Sequence, residues 1–286
     1  MSTMIKLIEC PRDAMQGWHR MISTDEKVAY LQALLKVGFD TIDFGSFVSP
    51  KAIPQLADTK EVLARLDLSQ THSKLLAIVA NVRGAEEAII HDEIHYLGFP
   101  FSVSETFQLR NTNKTIAESL EQVQTMQELC LKSGKELVVY ISMGFGNPYG
   151  DPYSPEIVLQ WVDEMVKMEI TTISLADTVG VANPEIITAL FKQLVPAYPG
   201  VEIGAHFHSA PSGREEKVLA AWQQGCKRFD SAIRGIGGCP MAKDELVGNL
   251  ATESLIDFCL RHQEPLTLDM TALQAAQLLA DNVFKN

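Results

Sequence analysis

The sequence predicts an α/β protein, a (β/α)8 TIM barrel with an appended C-terminal helix. Apolar, β-branched runs alternate along the chain with amphipathic stretches of helical period, and this alternation occurs eight times. The length of 286 residues suits one such barrel, and no linker rich in Pro, Gly or Ser interrupts the alternation. We therefore expect a single domain over residues 1–286.

Each predicted unit is a β-branched, apolar strand followed by a helix with an apolar stripe. The first four units are Ile5–Cys10 with Thr24–Val37, Thr41–Phe47 with Asp58–Leu66, Lys74–Asn81 with Gly84–His91, and Glu93–Ser102 with Lys114–Lys132. The last four are Lys135–Phe145 with Pro155–Met168, Thr171–Asp177 with Glu185–Leu194, Val201–His208 with Gly213–Gln224, and Arg228–Ile236 with Val247–His262. The appended helix is Asp269–Asn286.

The alternative to the barrel is an open, doubly wound sheet. That fold usually carries a glycine-rich phosphate-binding turn after its first strand. This chain has Cys10-Pro11-Arg12-Asp13 there instead, so the closed barrel is favoured.

Composition excludes several classes of protein. No apolar run is long enough to span a bilayer, and because the first predicted strand begins near residue 5 we expect neither a signal peptide nor a transit peptide. The net charge of −12 argues against a nucleic-acid partner. Five widely spaced cysteines form no C-x-x-C pair, which is typical of free thiols in a reducing cytosol. We expect a cytoplasmic homo-oligomer that binds neither membrane nor nucleic acid.

Two histidines in the seventh predicted strand give the first functional signal. A strand alternates its faces with a period of two, so His206 and His208 point the same way, ~6–7 Å apart along the chain. Two imidazoles on one face make half of a metal site. The alternative is a pair of ordinary strand histidines with satisfied hydrogen bonds.

Further polar residues follow the predicted strands, where the chemistry of TIM barrels is located. They are Arg12, Asp13, Asp43, Asn81, Arg83, Ser104, Glu105 and Asp177, with Asn249 and Glu253 early in the final helix. Asp13, the two histidines and the amide oxygen of Asn249 would leave about two of six octahedral positions for a bidentate substrate. A facial triad for ferrous iron is the weaker alternative.

The remaining candidates surround this predicted ligand set. Arg12 could stabilise an enolate formed when a carbon–carbon bond breaks, and Cys239, in the Gly237–Pro240 loop, could exchange a proton with the departing carbanion. Glu253 would orient Asn249 from one helical turn away, and Gln16 would support Asp13. We expect Lys51, Arg83 and Arg110 to contact anionic groups near the rim. The other interpretations are a surface salt bridge for Arg12, a turn cap for Asp177, a surface acid for Glu253 and a buried apolar role for Cys239.

Five motifs together resemble the signatures of 3-hydroxy-3-methylglutaryl-CoA lyase, within the metal-dependent DRE-TIM lyase superfamily. They are Glu9-Cys10-Pro11-Arg12-Asp13, Ser46-Phe47-Val48-Ser49-Pro50-Lys51, Ser174-Leu175-Ala176-Asp177-Thr178-Val179-Gly180, Gly237-Gly238-Cys239-Pro240 and Gly248-Asn249-Leu250-Ala251-Thr252-Glu253. The match runs in order over nearly the whole chain.

The resemblance implies retro-Claisen cleavage of 3-hydroxy-3-methylglutaryl-CoA to acetoacetate and acetyl-CoA. It implies a Mg²⁺ or Mn²⁺ ion on Asp13, His206, His208 and Asn249, with Arg12 stabilising the enolate of acetyl-CoA. It also implies that Cys239 lies on a flexible catalytic loop, that Asp177 lies close to the substrate and that the partner is a small acyl-CoA.

The chain departs from the family pattern at several positions near these residues. Asp43 stands where the family has glutamate, which shortens the side chain by one bond, ~1.5 Å. The segments Ala14–His19 and Ser209–Gly213 also differ, and Asn147 replaces a usual cysteine. The alternatives are therefore a relative that cleaves or condenses a different 3-hydroxyacyl-CoA or 3-hydroxy acid, and an inactive barrel that acts as a binding protein.

Overall fold

The computed structural model describes residues 4–238 and 247–285. Its centre is a closed barrel of eight parallel strands in the order β1-β2-β3-β4-β5-β6-β7-β8, with β8 paired to β1. The strands are β1 (Lys6–Glu9), β2 (Thr41–Ser46), β3 (Lys74–Ile78), β4 (Ile94–Ser102), β5 (Glu136–Ser142), β6 (Thr172–Asp177), β7 (Glu202–Phe207) and β8 (Arg228–Ser231). The barrel class predicted from the alternation is confirmed.

Helices surround the barrel and connect its strands. They are α1 (Pro11–Gln16), α2 (Thr24–Leu34), α3 (Thr59–Arg65), α4 (Val82–Ala88), α5 (Glu105–Thr112), α6 (Ile116–Ser133), α7 (Pro155–Lys167), α8 (Pro184–Ala197), α9 (Arg214–Gln223), α10 (Thr252–Arg261) and α11 (Met270–Val283). Short 3₁₀ turns occupy Pro54–Leu56, Pro211–Gly213 and Ile233–Gly235. None of the helices in the described ranges is long and apolar enough to cross a membrane.

Apolar burial is divided between two layers, as expected for a strand that is covered on both faces. The larger cluster fills the space between the strands and the outer helices. A smaller cluster inside the barrel contains Leu76, Ile78, Tyr96, Val138 and Tyr140. The strands therefore present alternate residues to the interior, which fixes the side chains that can reach the mouth of the barrel.

The appended helix closes the structure on the side of α2. The side chain of Asp269 accepts from the backbone N–H groups of Thr271 and Ala272, capping α11, and the Asp269 backbone N–H donates to the carbonyl of Val37. Phe284, just past α11, packs edge-on against Tyr30. The predicted C-terminal helix is thus present and docked.

Three differences from the prediction affect the residues near the end of the barrel. A short helix, α1, follows β1 because proline at its first position pre-sets the helical φ angle. Strand β8 ends at Ser231 rather than Ile236, since Arg234 and Gly235 adopt positive φ, which a strand does not allow. Helix α10 begins at Thr252, so Asn249 precedes it and is not helical.

Candidate metal and active site

The predicted ligand residues converge at the mouth of the barrel. Asp13 lies on α1 directly after β1, His206 lies in β7, and His208 follows the end of that strand. Asn249 reaches the same point because it forms an antiparallel bridge with His208. One ligand atom each from Asp13, His206 and His208 lie within 4.8 Å of one another. The three side chains therefore form a group that could hold a metal ion.

The hydrogen bonds of the two imidazoles show why this group suits a cation. His206 Nδ1 lies 3.0 Å from a carboxylate oxygen of Asp230, and His208 Nδ1 lies 2.9 Å from the carbonyl oxygen of Thr178. Both partners accept, so each Nδ1 donates and each Nε2 faces the other ring. The two Nε2 atoms are only 3.3 Å apart. A cation bound by both Nε2 atoms would replace this contact with coordination, and the residues present fit a bound metal.

The electrostatics of the ligands support the same interpretation. Burial would raise the pKa of Asp13, but the charges of Arg12, His206 and His208 and the hydrogen bond from Asn249 together outweigh burial and hold that pKa below its usual value. Burial and the neighbouring His206 lower the pKa of His208. Asp13 is therefore ionised and His208 neutral at physiological pH, the forms in which each binds a metal.

Arg12 is buried beside Asp13 and is held by three side chains. Its Nε and Nη2 atoms donate to the carboxylate of Asp43, at 3.0 and 2.6 Å, and its Nη1 atom donates to Asp13 and Gln16, both at 2.9 Å. These contacts use four of the five guanidinium N–H groups. One N–H on Nη2 has no acceptor within the described ranges and is available to a substrate oxygen.

Asp43 and Gln16 support this arrangement. Burial raises the pKa of Asp43 to about 6 even though Arg12 favours its ionised form. Gln16 donates to Asp13 at 2.9 Å, so it contacts one of the predicted ligands. Asp43 faces Arg12 rather than the cavity, so its effect on a reaction would pass through the guanidinium.

Asn249 and Glu253 are arranged differently from the prediction. The Nδ2 atom of Asn249 donates to Asp13 at 2.8 Å and to the carbonyl of Ile236 at 2.9 Å. Glu253 accepts instead from the backbone of Arg234 at 3.0 Å and from Gln277 at 3.0 Å. The expectation that Glu253 orients Asn249 is corrected, because helix α10 starts only after Asn249 and turns Glu253 toward α11.

Asp177 also differs from the prediction of a residue close to the substrate. Its Oδ2 atom accepts from the Lys217 ammonium at 2.6 Å, and its Oδ1 atom accepts from the backbone N–H of Ala182 at 3.0 Å. Its neighbours Ala176 and Thr178 line the cavity at the mouth, but Asp177 does not. Since successive strand residues face opposite sides, the carboxylate lies behind the site and not within it.

The cavity above the ligand group has a volume of about 230 Å³ and mostly apolar walls. Val48, Ile53, Ile78, Pro100 and Phe107 contribute these walls. Polar side chains of Gln16, Asn111, Ser142 and Thr178 complete the lining together with Arg12 and the ligands. The cavity therefore has charged side chains next to the ligand group and apolar side chains along its walls.

The three predicted rim cations do not line the described walls of this cavity. Arg83 is exposed, pairs with Glu87 at 3.2 Å and borders a neighbouring cavity. Arg110 lies over the ring of Tyr149, 4.7 Å from its centroid, and Lys51 is exposed. Their predicted contacts with anionic groups near the rim stay predictions. Cys239 lies outside the described residues.

Sequence reasoning missed several residues that complete the site. Asp230 accepts from His206, and the structure pairs the two residues in register between β7 and β8. Tyr140 lines the cavity, and its buried hydroxyl has no hydrogen-bond partner within the described ranges. Lys217 gave no signal, since a lysine in an amphipathic helix is expected at the surface.

Comparison with known proteins places the chain in a family. The HMGL-like family model matches residues 5–279. The chain belongs to the HMGL-like family. It is 32% identical over 253 residues to a mitochondrial hydroxymethylglutaryl-CoA lyase of Arabidopsis thaliana, covering 88% of this chain and 53% of that protein. The chain thus spans about half the length of that relative.

Two further proteins are similar to this chain over most of their length. An (R)-citramalyl-CoA lyase of Chloroflexus aurantiacus is 31% identical over 276 residues, covering 93% of this chain and 86% of the relative. The solved structure of an HMG-CoA lyase from Acinetobacter baumannii in complex with coenzyme A and 3-methylmalate has a TM-score of 0.90 and 30% identity. The likeness covers 99% of this chain and 93% of that one.

Proposed function

We propose that this HMGL-like protein is a carbon–carbon lyase that cleaves 3-hydroxy-3-methylglutaryl-CoA to acetoacetate and acetyl-CoA in a single barrel domain. The convergence of Asp13, His206 and His208 beside the Arg12 guanidinium carries this proposal. The names of its relatives and the coenzyme A complex of the Acinetobacter protein support an acyl-CoA substrate.

The proposed cofactor is one Mg²⁺ or Mn²⁺ ion held by Asp13, His206, His208 and Asn249. A carboxylate, two neutral imidazoles and an amide suit a divalent ion that keeps positions open for substrate oxygens. When bound, such an ion acts as a Lewis acid that polarises the substrate oxygens and favours loss of the 3-hydroxyl proton.

Arg12 has the central role among the protein's own side chains. Breaking the bond between carbons two and three moves an electron pair onto the thioester, and the resulting enolate oxygen needs a preorganised donor. The remaining Nη2 N–H of Arg12 can supply that donor because Asp43 and Gln16 fix the other N–H groups. Asp43 therefore acts as a positioning residue for Arg12.

Cys239 is proposed as the proton donor to the departing carbanion. The Gly237–Pro240 loop that carries Cys239 begins at Gly237, beside Asp13 and Asn249. A Cβ atom on Gly237 would come within 2.5 Å of Asn249 Nδ2 and 3.0 Å of the Asp13 carbonyl oxygen, so the backbone of Gly237 packs against the site. With Gly237 at a φ of 110°, glycine is needed there for both space and conformation.

A panel of thioesters and free acids tests this proposal. The purified protein, loaded with Mg²⁺ or Mn²⁺, is given 3-hydroxy-3-methylglutaryl-CoA, citramalyl-CoA, other 3-hydroxyacyl-CoA thioesters and the matching free acids. We expect acetyl-CoA to be released from 3-hydroxy-3-methylglutaryl-CoA, and Arg12→Met to suppress that release while the surface variant Arg65→Met does not. Cleavage of free acids alone, or of no compound, would contradict the proposal.

Location and assembly remain predictions. All four cysteines within the described ranges are buried free thiols, which supports the expected cytoplasmic location. The expected homo-oligomer is tested by light scattering on the purified protein, where a mass of one chain would contradict it.

A further inference from the structure

A buried lysine lies behind the ligand group and has no place in the proposed chemistry. Lys217 is on α9 with only 7% of its surface exposed. Its Nζ atom donates to Asp177 Oδ2 at 2.6 Å, to the His208 carbonyl at 2.9 Å and to the Gly180 carbonyl at 3.3 Å. An ammonium group has three N–H donors, so these three acceptors satisfy it fully.

The acceptors of Lys217 belong to two different elements. Asp177 ends β6 and Gly180 lies in the loop that follows, whereas His208 follows β7. The ammonium therefore joins the β6–α8 loop to the end of β7. Because burying an ammonium group without partners costs several kcal/mol, this junction has a strong preference for one geometry.

The same loop also holds the imidazole of His208. The Thr178 carbonyl, one residue after Asp177, accepts from His208 Nδ1 at 2.9 Å. His208 is thus held at two points by one loop, through its ring and, by way of Lys217, through its own carbonyl oxygen. Moving the loop away from β7 would lengthen the Thr178 contact and free the ring to rotate or change tautomer.

We propose that Lys217 is a positioning residue that sets the orientation and tautomer of His208, with Asp177 as its counter-ion. This inference rests on the proposed function in that it assigns His208 as a metal ligand. It also gives Asp177 a defined role, because its two carboxylate oxygens accept from Lys217 and from the backbone of Ala182, and neither oxygen faces the cavity.

The first test measures metal binding rather than turnover. Mn²⁺ affinity of the purified full-length protein is measured by titration calorimetry for the wild type, Lys217→Met and Lys217→Arg. Loss of a contact that orients a ligand typically weakens metal binding about 10- to 100-fold, so we expect that increase in Kd for Lys217→Met and partial recovery for Lys217→Arg. An unchanged Kd in Lys217→Met would overturn the proposal.

The chain offers a matched control in a second buried lysine. Lys27 is 3% exposed and pairs with Asp58 at 2.6 Å and with the carbonyl of Gln55, on the outer side of the barrel. Lys27→Met removes a buried ammonium of the same kind far from the ligands. We expect it to lower the melting temperature while leaving the Mn²⁺ Kd within about twofold. An equal loss of affinity in both variants would show a general effect of destabilisation and overturn the proposal.

A second readout uses the metal-free protein and is independent of the proposed activity. Nitrogen-15 NMR of the imidazoles reports the tautomer, and we expect the Nδ1–H form of His208 in the wild type and a mixture of tautomers in Lys217→Met. Where Lys217→Met fails to fold, Asp177→Asn replaces it, since that change keeps the shape and removes the counter-ion charge. If the folded variant kept the single Nδ1–H tautomer of His208, the inference would be overturned. If the tautomer changed as expected but the protein cleaved none of the thioesters, only the proposed function would be contradicted.

Discussion

The Nε2 atoms of His206 and His208 lie 3.3 Å apart, while the Nδ1 atom of each ring donates to a fixed acceptor. The Nε2 atoms therefore face each other, in the position from which two imidazoles can bind one divalent ion. The Asp13 carboxylate adds the negative charge that such an ion requires.

Chelation is the first way to test this relationship. A ligand that binds only the native state stabilises it by about 2.7 kcal/mol at a hundredfold excess over its Kd. We expect EDTA to lower the melting temperature of the wild type, and the His206→Ala/His208→Ala variant to lose that response. The control His72→Ala/His95→Ala alters two exposed histidines and should respond like the wild type. Equal EDTA sensitivity in the His206→Ala/His208→Ala variant would place the metal elsewhere.

Replacement of Arg12 separates catalysis from metal binding. Removing one preorganised donor to a developing oxyanion costs ~10²–10³ in rate, so we expect Arg12→Met to lower kcat by that factor. Because the change leaves the buried Asp43 without its partner, the Arg12→Met/Asp43→Leu variant should recover stability without recovering activity. Metal content by atomic emission should match the wild type in both. Loss of metal together with activity would indicate a structural role.

The hydroxyl of Tyr140 offers a test of substrate contact. This buried group lines the cavity with no partner within the described ranges, so Tyr140→Phe removes an unsatisfied group and should not destabilise the fold. If the substrate supplies the missing partner, kcat/KM should fall about tenfold, since a net hydrogen bond contributes about 1.5 kcal/mol at most. Urea unfolding and steady-state kinetics measure the two effects. A variant with full activity would exclude the contact.

The buried carboxyl group of Glu9 should make the stability of the protein depend on pH. Its fully buried carboxyl accepts from the Ile233 N–H at 2.8 Å and the Thr252 hydroxyl at 2.6 Å, and burial raises its pKa from 4.5 to about 8. Between these values the folded state binds more protons than the unfolded state, so stability falls as pH rises.

The variant Glu9→Gln stays neutral over that range, so its stability should not fall with pH on account of this residue. We expect it to gain stability relative to the wild type between pH 5 and pH 8, measured by urea unfolding at both values. The exposed Glu93→Gln variant is the control and should show the same pH dependence as the wild type. If the free energy of unfolding of Glu9→Gln differed from that of the wild type by the same amount at pH 5 and pH 8, Glu9 would ionise normally.

The periodicity of the sequence predicted most of the fold. The eight strands and the helix after each of them follow from residues that repeat with periods of 2.0 and 3.6, which depend on local backbone geometry alone. The prediction failed where local geometry is interrupted, as at Arg234 and Gly235, whose positive φ ends β8 early. It also missed the short helices α1 and α5, which follow their strands directly.

The sequence by itself determined that polar side chains meet at the barrel mouth, because the ends of parallel strands come together there. That rule brought Arg12, Asp13 and the two histidines together correctly. Only the tertiary structure decided how these groups are paired. The ion pair of Lys217 with Asp177 joins residues 40 positions apart in the chain. The contact of Glu253 with Arg234 joins residues 19 positions apart. Such pairings depend on helix rotation and on which buried charges can find partners, and neither property is encoded in local periodicity.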